Sequence, residues 1–238
     1  MNKATFEFHD KEITLESPDA QMLQASIRRF SMPDYFSLIG KAVPKPVRRI
    51  LDVGACIGAY SLLFHEIWPE AEIWALEPSS RSFGCLELNT KHIPNIHCIQ
   101  LAAGEAEYRH GIAIPTKEQK EYMNFGAGNC GVISMFGESD IFREEVQVSK
   151  LDDIIGWCDF IKIDTEGYEY RVIQGAARLL KEARPTLHVE MMGSNFDMAG
   201  TSAQQVTELI LSFNYLLTGV LYQQDSIFTP REKCVIYS

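Results

Sequence analysis

The segment Arg49–Ser61 combines an apolar run, a glycine-containing turn and a helical pattern within a few residues. Gly54 and Gly58 stand four positions apart, directly after the apolar run. This order predicts a strand that passes through a tight turn into a helix. In open α/β sheets the ligand lies outside the carboxyl ends of the strands, and a glycine there lets the backbone approach it without a Cβ in between. The segment therefore predicts a cofactor site at its turn.

The spacing of the glycines indicates which class of cofactor is favoured. A dinucleotide-binding fold has the pattern Gly-x-Gly-x-x-Gly, whereas here Cys56 stands between Gly54 and Gly58 and no third glycine precedes the helix. The spacing therefore favours a ligand without phosphate groups. The pattern Asp-x-Gly-x-x-x-Gly resembles motif I of class I S-adenosylmethionine methyltransferases. Taken alone, the same run can also be an ordinary strand-to-helix turn.

A carboxylate follows the next apolar run, Glu72–Leu76. This residue, Glu77, lies about 20 residues beyond the glycine turn, the distance at which the second strand of a βαβ unit presents an acid to ribose hydroxyls. A carboxylate only accepts hydrogen bonds, so it can accept from two hydroxyl groups at once. Pro78 restricts the turn directly after it. We therefore predict that Glu77 binds a ribose; the alternative is a solvated acid at the end of a strand.

Length and composition favour a globular α/β protein. The chain has 238 residues, of which 46% are hydrophobic and 23% are charged. The net charge of −10 opposes binding to a phosphate backbone, so nucleic acid is not an expected partner. No run of about 18 apolar residues and no apolar signal segment occurs, which predicts no membrane partner and a cytoplasmic location. The six cysteines form no Cys-x-x-Cys pair and are expected to be reduced thiols. Oligomeric state cannot be read from the sequence.

Apolar runs and helical periods alternate along most of the chain. We predict strands at Arg49–Val53, Glu72–Leu76, Ile96–Leu101, Phe160–Asp164 and Thr186–Glu190. We predict helices at Ala59–Trp68, Ser80–Asn89, Tyr170–Leu180 and Ser202–Phe213. This alternation predicts an α/β fold with a doubly wound, mostly parallel sheet. The last two runs, Tyr215–Leu221 and Lys233–Tyr237, predict two final strands, one of them antiparallel.

The chain divides into an extension and a main domain. Residues 1–46 predict an N-terminal hairpin at Thr5–Leu15 and a helix after it, and residues 47–238 form the predicted cofactor-binding domain. Within that domain, residues 104–150 interrupt the alternation and predict a hairpin-rich excursion between the third and fourth parallel strands. Such an excursion can shape access of the substrate, or it can be a surface loop or a contact between subunits.

The segment Phe160–Glu169 carries the strongest local signal. A buried strand ends here in three acids, Asp164, Glu166 and Glu169, at the edge of the sheet where the reactive group of the cofactor is expected. Solubility alone does not explain three acids so close together. Glu169 can also stabilise the first turn of the following helix, where a negative charge is favourable.

This segment resembles the FkbM family of S-adenosylmethionine-dependent methyltransferases. The resemblance covers roughly residues 48–192 and is carried by Phe160–Glu169, Val172–Ala176, Pro185–Glu190, Val148–Asp152, Gly131–Ser134, Asn89, Glu77 and the glycine turn. Cys56 departs from the commonest, glycine-rich form of motif I. The resemblance implies a Rossmann-like class I methyltransferase that methylates oxygen, usually a hydroxyl of a sugar or of a secondary metabolite. It also implies S-adenosyl-L-methionine as the cofactor and a small molecule or glycan as the acceptor.

The resemblance places the cofactor along the glycine turn and the ends of the second and third strands. The residues that match these positions are Asp52, Gly54, Cys56, Gly58, Tyr60, Glu77, Pro78, Ser79, Ser80, Ala102 and Ala103. Candidate catalytic residues, which would take the acceptor proton, are Asp164, Glu166, His188 and Glu190, each of which can instead be structural. A divalent metal at the clustered acids is a further hypothesis.

Two functions from other classes stay open at this point. A nicotinamide-dependent oxidoreductase, which would bind NAD, is disfavoured by the missing third glycine. A non-catalytic binding protein with a Rossmann-like fold would differ from an enzyme only in the lack of turnover.

Overall fold

The computed structural model describes residues 1–8, 11–20, 23–24, 26–27, 35–114, 142–221 and 225–234. The strands in these ranges are β1 (Asn2–Phe8), β2 (Lys11–Ser17), β3 (Arg49–Val53), β4 (Glu72–Leu76), β5 (Ile96–Ile99), β6 (Ala102–Ala103), β7 (Tyr108–Ile114), β8 (Phe142–Ser149), β9 (Phe160–Ile163), β10 (Thr186–Glu190), β11 (Tyr215–Leu221) and β12 (Asp225–Pro230). The helices with described bounds are α1 (Tyr35–Ala42), α2 (Ala59–Ile67), α3 (Ser80–Thr90), α4 (Leu151–Ile154), α5 (Glu169–Gln174), α6 (Ala177–Glu182), α7 (Gly193–Ala199) and α8 (Ala203–Ser212).

Seven of the described strands form the central sheet, in the order β11-β12-β10-β9-β3-β4-β5. The strands from β5 to β10 in this order run parallel, and β12 pairs antiparallel with both β10 and β11. From β3 the chain builds one side of the sheet through β4 and β5, and it later builds the other side through β9 and β10. The strand order therefore reverses between β3 and β9, where open α/β sheets bind their ligands. This topology confirms the predicted doubly wound sheet with an antiparallel C-terminal strand.

Alternate residues of the central strands face two hydrophobic cores. On one face of the sheet, Ile50 and Phe160 pack in a core with Phe64 of α2. On the other face, Leu51 and Ile161 share a core with residues of α5, α6 and α8. Strands that are buried on both faces are apolar at nearly every position, which explains why their runs are visible in the sequence. A charged residue inside such a strand is therefore an exception that needs a reason.

One predicted helix, Tyr170–Leu180, is in fact two helices, α5 and α6, which are separated at Gly175. A Cβ atom at Gly175 would lie 1.8 Å from the backbone oxygen of Gly104, so the two backbones are in direct contact there. The carboxylate of Asp152 accepts two hydrogen bonds of 2.8 Å from backbone N–H groups in the first turn of α6. Because these bonds satisfy N–H groups that a continuous helix would use internally, a second helix start is stable at this point.

The second predicted C-terminal strand, Lys233–Tyr237, is wrong at its start, because Lys233 lies in a 3-10 turn. The strand next to β10 is β12, and the chain then forms a 3-10 turn at Arg231–Lys233. All residues of β12 are buried although several are polar, and the hydroxyl groups of Thr218 and Thr229 lie 2.8 Å apart. Because buried polar residues resemble a loop in a sequence, this strand was not recognised. Residues 235–237 of the predicted strand lie outside the described residues.

The N-terminal extension folds as a hairpin on the main core. The strands β1 and β2 pair antiparallel, which confirms the hairpin predicted at Thr5–Leu15. Ile13 and Leu15 of β2 are buried in the same core as Ile57 of the glycine turn. The division into residues 1–46 and 47–238 stays a prediction.

The predicted excursion contains a small second sheet. The strands β7 and β8 pair antiparallel, and β6 pairs parallel with β8. Residues 115–141 of the excursion lie outside the described residues. Among the helices that the structure describes, none combines the length and the apolar character that crossing a bilayer requires.

Candidate active site

The turn after β3 has the left-handed backbone that glycine favours. The angle φ is 79° at Gly54, 53° at Cys56 and 87° at Gly58. A Cβ atom at Gly54 would lie 1.8 Å from the backbone oxygen of Asp164, so the ends of β3 and β9 touch through their backbones. A side chain at this position would force apart the two strands that flank the crevice. The predicted strand-to-helix turn therefore exists, and it lies where the strand order reverses.

Glu77 is buried beside this turn and is held by two backbone N–H groups. One carboxylate oxygen accepts a 2.9 Å hydrogen bond from the N–H of Cys56, and the other accepts a 3.0 Å bond from the N–H of Ser79. Burial raises the pKa of Glu77 to about 7, although the two N–H groups act in the opposite direction. Each oxygen keeps a further lone pair, so the carboxylate can still accept hydrogen bonds from two neighbouring hydroxyl groups.

Asn89 of α3 joins the glycine turn to the N-terminal hairpin. Its side-chain N–H group donates to the backbone oxygens of Ile57, at 2.8 Å, and of Glu16, at 3.1 Å. Its side-chain oxygen accepts a 2.8 Å bond from the backbone N–H of Glu16. The residues around the turn are therefore positioned partly by the extension that precedes the family resemblance.

The remaining predicted cofactor residues lie at the start of α3 and in β6. The backbone N–H of Ser80 lies 3.0 and 3.2 Å from the two carboxylate oxygens of Glu144, a residue of β8. Ala102 and Ala103 form β6, which pairs with the same strand. The second sheet is thus attached to the edge that carries Glu77. Contact of these residues with the cofactor stays a prediction.

A buried lysine, Lys162, lies between the turn and the acids and is only 2% exposed. Its Nζ atom lies 3.3 Å from a carboxylate oxygen of Asp52 and 3.3 Å from one of Asp164. The ammonium group also donates a 3.1 Å hydrogen bond to the backbone oxygen of Gly54 and lies 4.5 Å from the ring centroid of Tyr60. A buried ammonium group requires such partners. Lys162 therefore connects the glycine turn to the acid-rich end of β9.

Sequence reasoning did not single out Lys162. The available signal was one lysine inside a short, otherwise apolar strand, because a charge buried there must be paired. What the sequence could not supply is the register that places Lys162 opposite Asp52 on β3 and opposite His188 on β10. The second carboxylate oxygen of Asp52 accepts a 2.7 Å hydrogen bond from the hydroxyl of Ser61.

Asp164, Glu166 and Glu190 form an acid triad at the carboxyl edge of β9 and β10. One carboxylate oxygen from each residue lies within 4.8 Å of those of the other two. Asn195 donates a 2.7 Å hydrogen bond from its side chain to Glu166. The structure therefore brings together three of the four predicted catalytic residues. Hard oxygen ligands at this separation also suit Mg²⁺, so the hypothesis of a divalent metal stays a prediction.

Glu169 holds the loop that presents two members of the acid triad. One of its carboxylate oxygens accepts hydrogen bonds from the N–H of Thr165 at 2.8 Å, the hydroxyl of Thr165 at 3.0 Å and the N–H of Gly167 at 3.4 Å. The angle φ is 53° at Glu166 and 104° at Gly167, so this loop needs such support. Burial raises the pKa of Glu169. Its contacts thus organise the loop, beyond the helix stabilisation expected from its position.

His188, the fourth predicted catalytic residue, lies two residues before Glu190 in β10, farther from the carboxyl edge of the sheet. Its imidazole is 1% exposed, and its ring lies parallel to that of Phe160, with the centroids 6.5 Å apart. The ring centroid of Tyr60 is 6.0 Å away, and Nε2 lies 3.6 Å from a carboxylate oxygen of Asp225. The structure therefore surrounds His188 with core residues and does not bring it into the acid triad.

Comparison with known proteins agrees with this geometry. The Methyltransferase FkbM domain matches residues 52–217, a range that includes the glycine turn, Glu77 and the acid triad. This chain belongs to the FkbM methyltransferase family. The match confirms the resemblance inferred from the sequence, and S-adenosylmethionine is the cofactor expected of this FkbM protein. No curated protein matches the chain.

Solved structures of methyltransferases are similar to this FkbM-family chain. The crystal structure of methyltransferase FkbM from Methylobacillus flagellatus KT is 19% identical, with a TM-score of 0.50, and the match covers 89% of this chain. The match covers 55% of the M. flagellatus chain, so the present chain spans about half the length of that protein. Precorrin-6y C5,15-methyltransferase from Geobacter metallireducens GS-15 is 12% identical, with a TM-score of 0.49 and coverage of 90% and 93% of the two chains. The match to the M. flagellatus structure supports a shared fold only.

Proposed function

We propose that this protein transfers the methyl group of S-adenosylmethionine to a hydroxyl group of a sugar or of a secondary metabolite. One observation carries the proposal: the glycine turn with Glu77 and the acid triad flank the same crevice at the carboxyl edge of the sheet. The distance between the two parts is bridged by Lys162, which contacts Gly54 on one side and Asp164 on the other. A cofactor and an acceptor can therefore be held next to each other.

The donors and charges of the site fit S-adenosylmethionine. The carboxylate of Glu77 suits the two hydroxyl groups of a ribose. Lys162 is the only lysine or arginine among the described residues that are buried, whereas Asp52, Glu77 and Glu190 are all buried acids. This excess of acids favours a ligand that carries a positive charge. When bound, the cofactor supplies a methyl group on a positively charged sulfur, which is already a strong electrophile.

The acid triad is the reason for proposing a hydroxyl acceptor. A hydroxyl group loses its proton when it is methylated, and a carboxylate within reach can take that proton. Asp164 is partly exposed, whereas Glu190 is buried, so we assign Asp164 as the proton acceptor. Glu166 and Glu190 can accept hydrogen bonds from further hydroxyl groups and so orient a sugar. The same proposal includes a small molecule or glycan as partner and a cytoplasmic location.

A methyl-transfer assay tests this function. The protein is incubated with methyl-labelled S-adenosylmethionine and with matched acceptors that present a hydroxyl, an amine or a thiol, and the products are identified by mass spectrometry. We expect methylation of the hydroxyl acceptor. Methylation of the amine or thiol alone would contradict the proposed O-methylation. Calorimetric titration with NAD(H) and S-adenosylmethionine tests the oxidoreductase alternative, because an oxidoreductase would bind NAD(H). A non-catalytic binding protein would bind S-adenosylmethionine but show no turnover in the methyl-transfer assay.

A further inference from the structure

We propose that Lys162 is a positioning residue that fixes Asp164 relative to the cofactor turn. The inference rests on the proposed function, in which Asp164 takes the proton of the acceptor. It adds a role for a residue that acts through Asp164.

The contacts of Lys162 reach both halves of the site. Its ammonium group lies 3.3 Å from Asp164, at the end of β9, and donates a 3.1 Å hydrogen bond to the backbone oxygen of Gly54 in the cofactor turn. The third contact, at 3.3 Å, is to Asp52 in β3. A displacement of the turn relative to Asp164 would therefore break at least one contact of a buried charge. Lys162 thus joins the part of the site that binds the donor to the part that receives the acceptor.

Stability alone is a poor explanation for a lysine at this position. Removing two or more charges from water costs more than their attraction usually returns, and apolar side chains of similar volume are often as stable or more stable. The neighbouring strand residues Phe160, Ile161 and Ile163 show that this strand accommodates apolar side chains. A buried cation in the middle of it is therefore better explained by what it holds in place. Methyl transfer is sensitive to alignment, and a displacement of about 1 Å can lower a rate about 10²-fold.

A double-mutant cycle separates positioning from plain structure. The variants are Lys162→Met, Asp164→Asn and the double variant, and the readouts are kcat and the Kd for S-adenosylmethionine. We expect Lys162→Met to lower kcat about 10²-fold, with a much smaller effect on Kd. In the Asp164→Asn background the same change should lower kcat by less than about 3-fold, because Lys162 then has no proton acceptor to position. An equal loss in both backgrounds, or an unchanged kcat in Lys162→Met, would overturn the inference.

Two controls keep the result interpretable. Lys181→Met removes an exposed lysine of α6 and should leave kcat unchanged. Lys162→Met leaves the buried carboxylate of Asp52 without its cation. If this variant does not fold, the lysine change is made together with Asp52→Asn. This double variant is then compared with Asp52→Asn alone. Loss of kcat specific to the lysine change then supports the inference, and equal kcat overturns it.

The outcomes for Lys162 and for the proposed function are distinguishable. If the parent protein methylates an amine or a thiol, O-methylation fails, and the same cycle is measured with that acceptor. Coupling between Lys162 and Asp164 would then still support the positioning role. A parent protein that binds no S-adenosylmethionine would overturn both.

Discussion

Glu77 accepts a 2.9 Å hydrogen bond from the backbone N–H of Cys56, and this bond joins the end of β4 to the turn after β3. Cys56 is also the residue that departs from the glycine-rich form of motif I. Because the bond uses the backbone, a cysteine can supply it as well as a glycine, provided that it adopts the left-handed conformation seen here, with φ of 53°. The unusual residue therefore preserves the contact that orients Glu77, the acid predicted to bind ribose.

The first prediction concerns Glu77 and the cofactor. Glu77→Ala removes the acceptor of both predicted ribose hydrogen bonds, so we expect S-adenosylmethionine to bind more weakly by about 1–3 kcal/mol in a calorimetric titration. Glu72→Ala is the matched control, because Glu72 is the first residue of β4, at the end of the strand away from Glu77, and pairs with Arg49 at 2.6 Å. Unchanged affinity in Glu77→Ala would remove this residue from the site.

The second prediction is a pH dependence that Glu77 sets. Because its pKa in the folded protein is raised to about 7, the carboxyl group is protonated below that pH and accepts hydrogen bonds less well. We expect the affinity for S-adenosylmethionine to rise between about pH 6 and pH 8 and this slope to disappear in Glu77→Gln. The stability of the unliganded protein should decrease as pH rises, whereas the affinity increases. The folded state binds a proton that the unfolded chain releases, so the contribution of Glu77 to the free energy of unfolding falls as pH rises from about 4.5 to about 7.

The parts of the site that were predictable depend on short-range patterns. The glycine turn, Glu77 and the run that ends in Asp164 follow from local periodicity and from the usual length of a βαβ unit. Lys162 and Asn195 were not predictable, because their roles depend on which strands and loops lie side by side. The pairing of Lys162 with Asp52 requires the register of β3 against β9, and more than one hundred residues separate these strands in sequence.

The third prediction distinguishes Asp164 from His188. Asp164→Asn should lower kcat about 10²–10⁴-fold and leave the affinity for S-adenosylmethionine nearly unchanged, because it replaces the proposed proton acceptor with an amide of nearly the same shape. His188→Ala removes a ring that packs on Phe160 in the core, so we expect a loss of about 2–4 kcal/mol in the free energy of unfolding. Steady-state kinetics and denaturant unfolding of both variants test this. A folded His188→Ala variant that loses kcat as strongly as Asp164→Asn would place the histidine in the chemistry after all.

The fourth prediction tests the backbone contact at Gly54. Gly54→Ala would put a Cβ atom 1.8 Å from the backbone oxygen of Asp164, and the left-handed φ adds strain, so we expect a loss of more than about 4 kcal/mol in the free energy of unfolding. Gly84→Ala is the control, since no atom beyond the neighbouring backbone of α3 lies within 4 Å of the added Cβ. That helix position should gain about 0.5–1 kcal/mol. Similar unfolding curves for the two variants would contradict the close approach of β3 and β9.

The N-terminal hairpin shows why a family pattern predicts only part of the site. Its residues lie outside the matched range, yet Leu15 packs in the same core as Ile57 of the glycine turn. The alternation of apolar residues predicted the hairpin itself, but not the surface on which it packs. The hairpin is attached to that surface through Asn89, whose side chain forms hydrogen bonds with the backbone of Glu16, 73 residues away in the sequence.

The last prediction concerns this connection. Asn89→Ala removes the hydrogen bonds to Ile57 and Glu16, which leaves backbone groups of the turn and of β2 without their partner, so we expect S-adenosylmethionine to bind more weakly by about 1–2 kcal/mol. Hydrogen exchange at the backbone N–H of Glu16 should also become faster, because its acceptor is lost. Asn95→Ala is the matched control: this asparagine also donates to two backbone oxygens, at 3.0 and 2.6 Å, and contacts no residue of the turn. Equal losses of affinity in the two variants, or unchanged exchange at Glu16, would show that Asn89 does not position the cofactor turn through the hairpin.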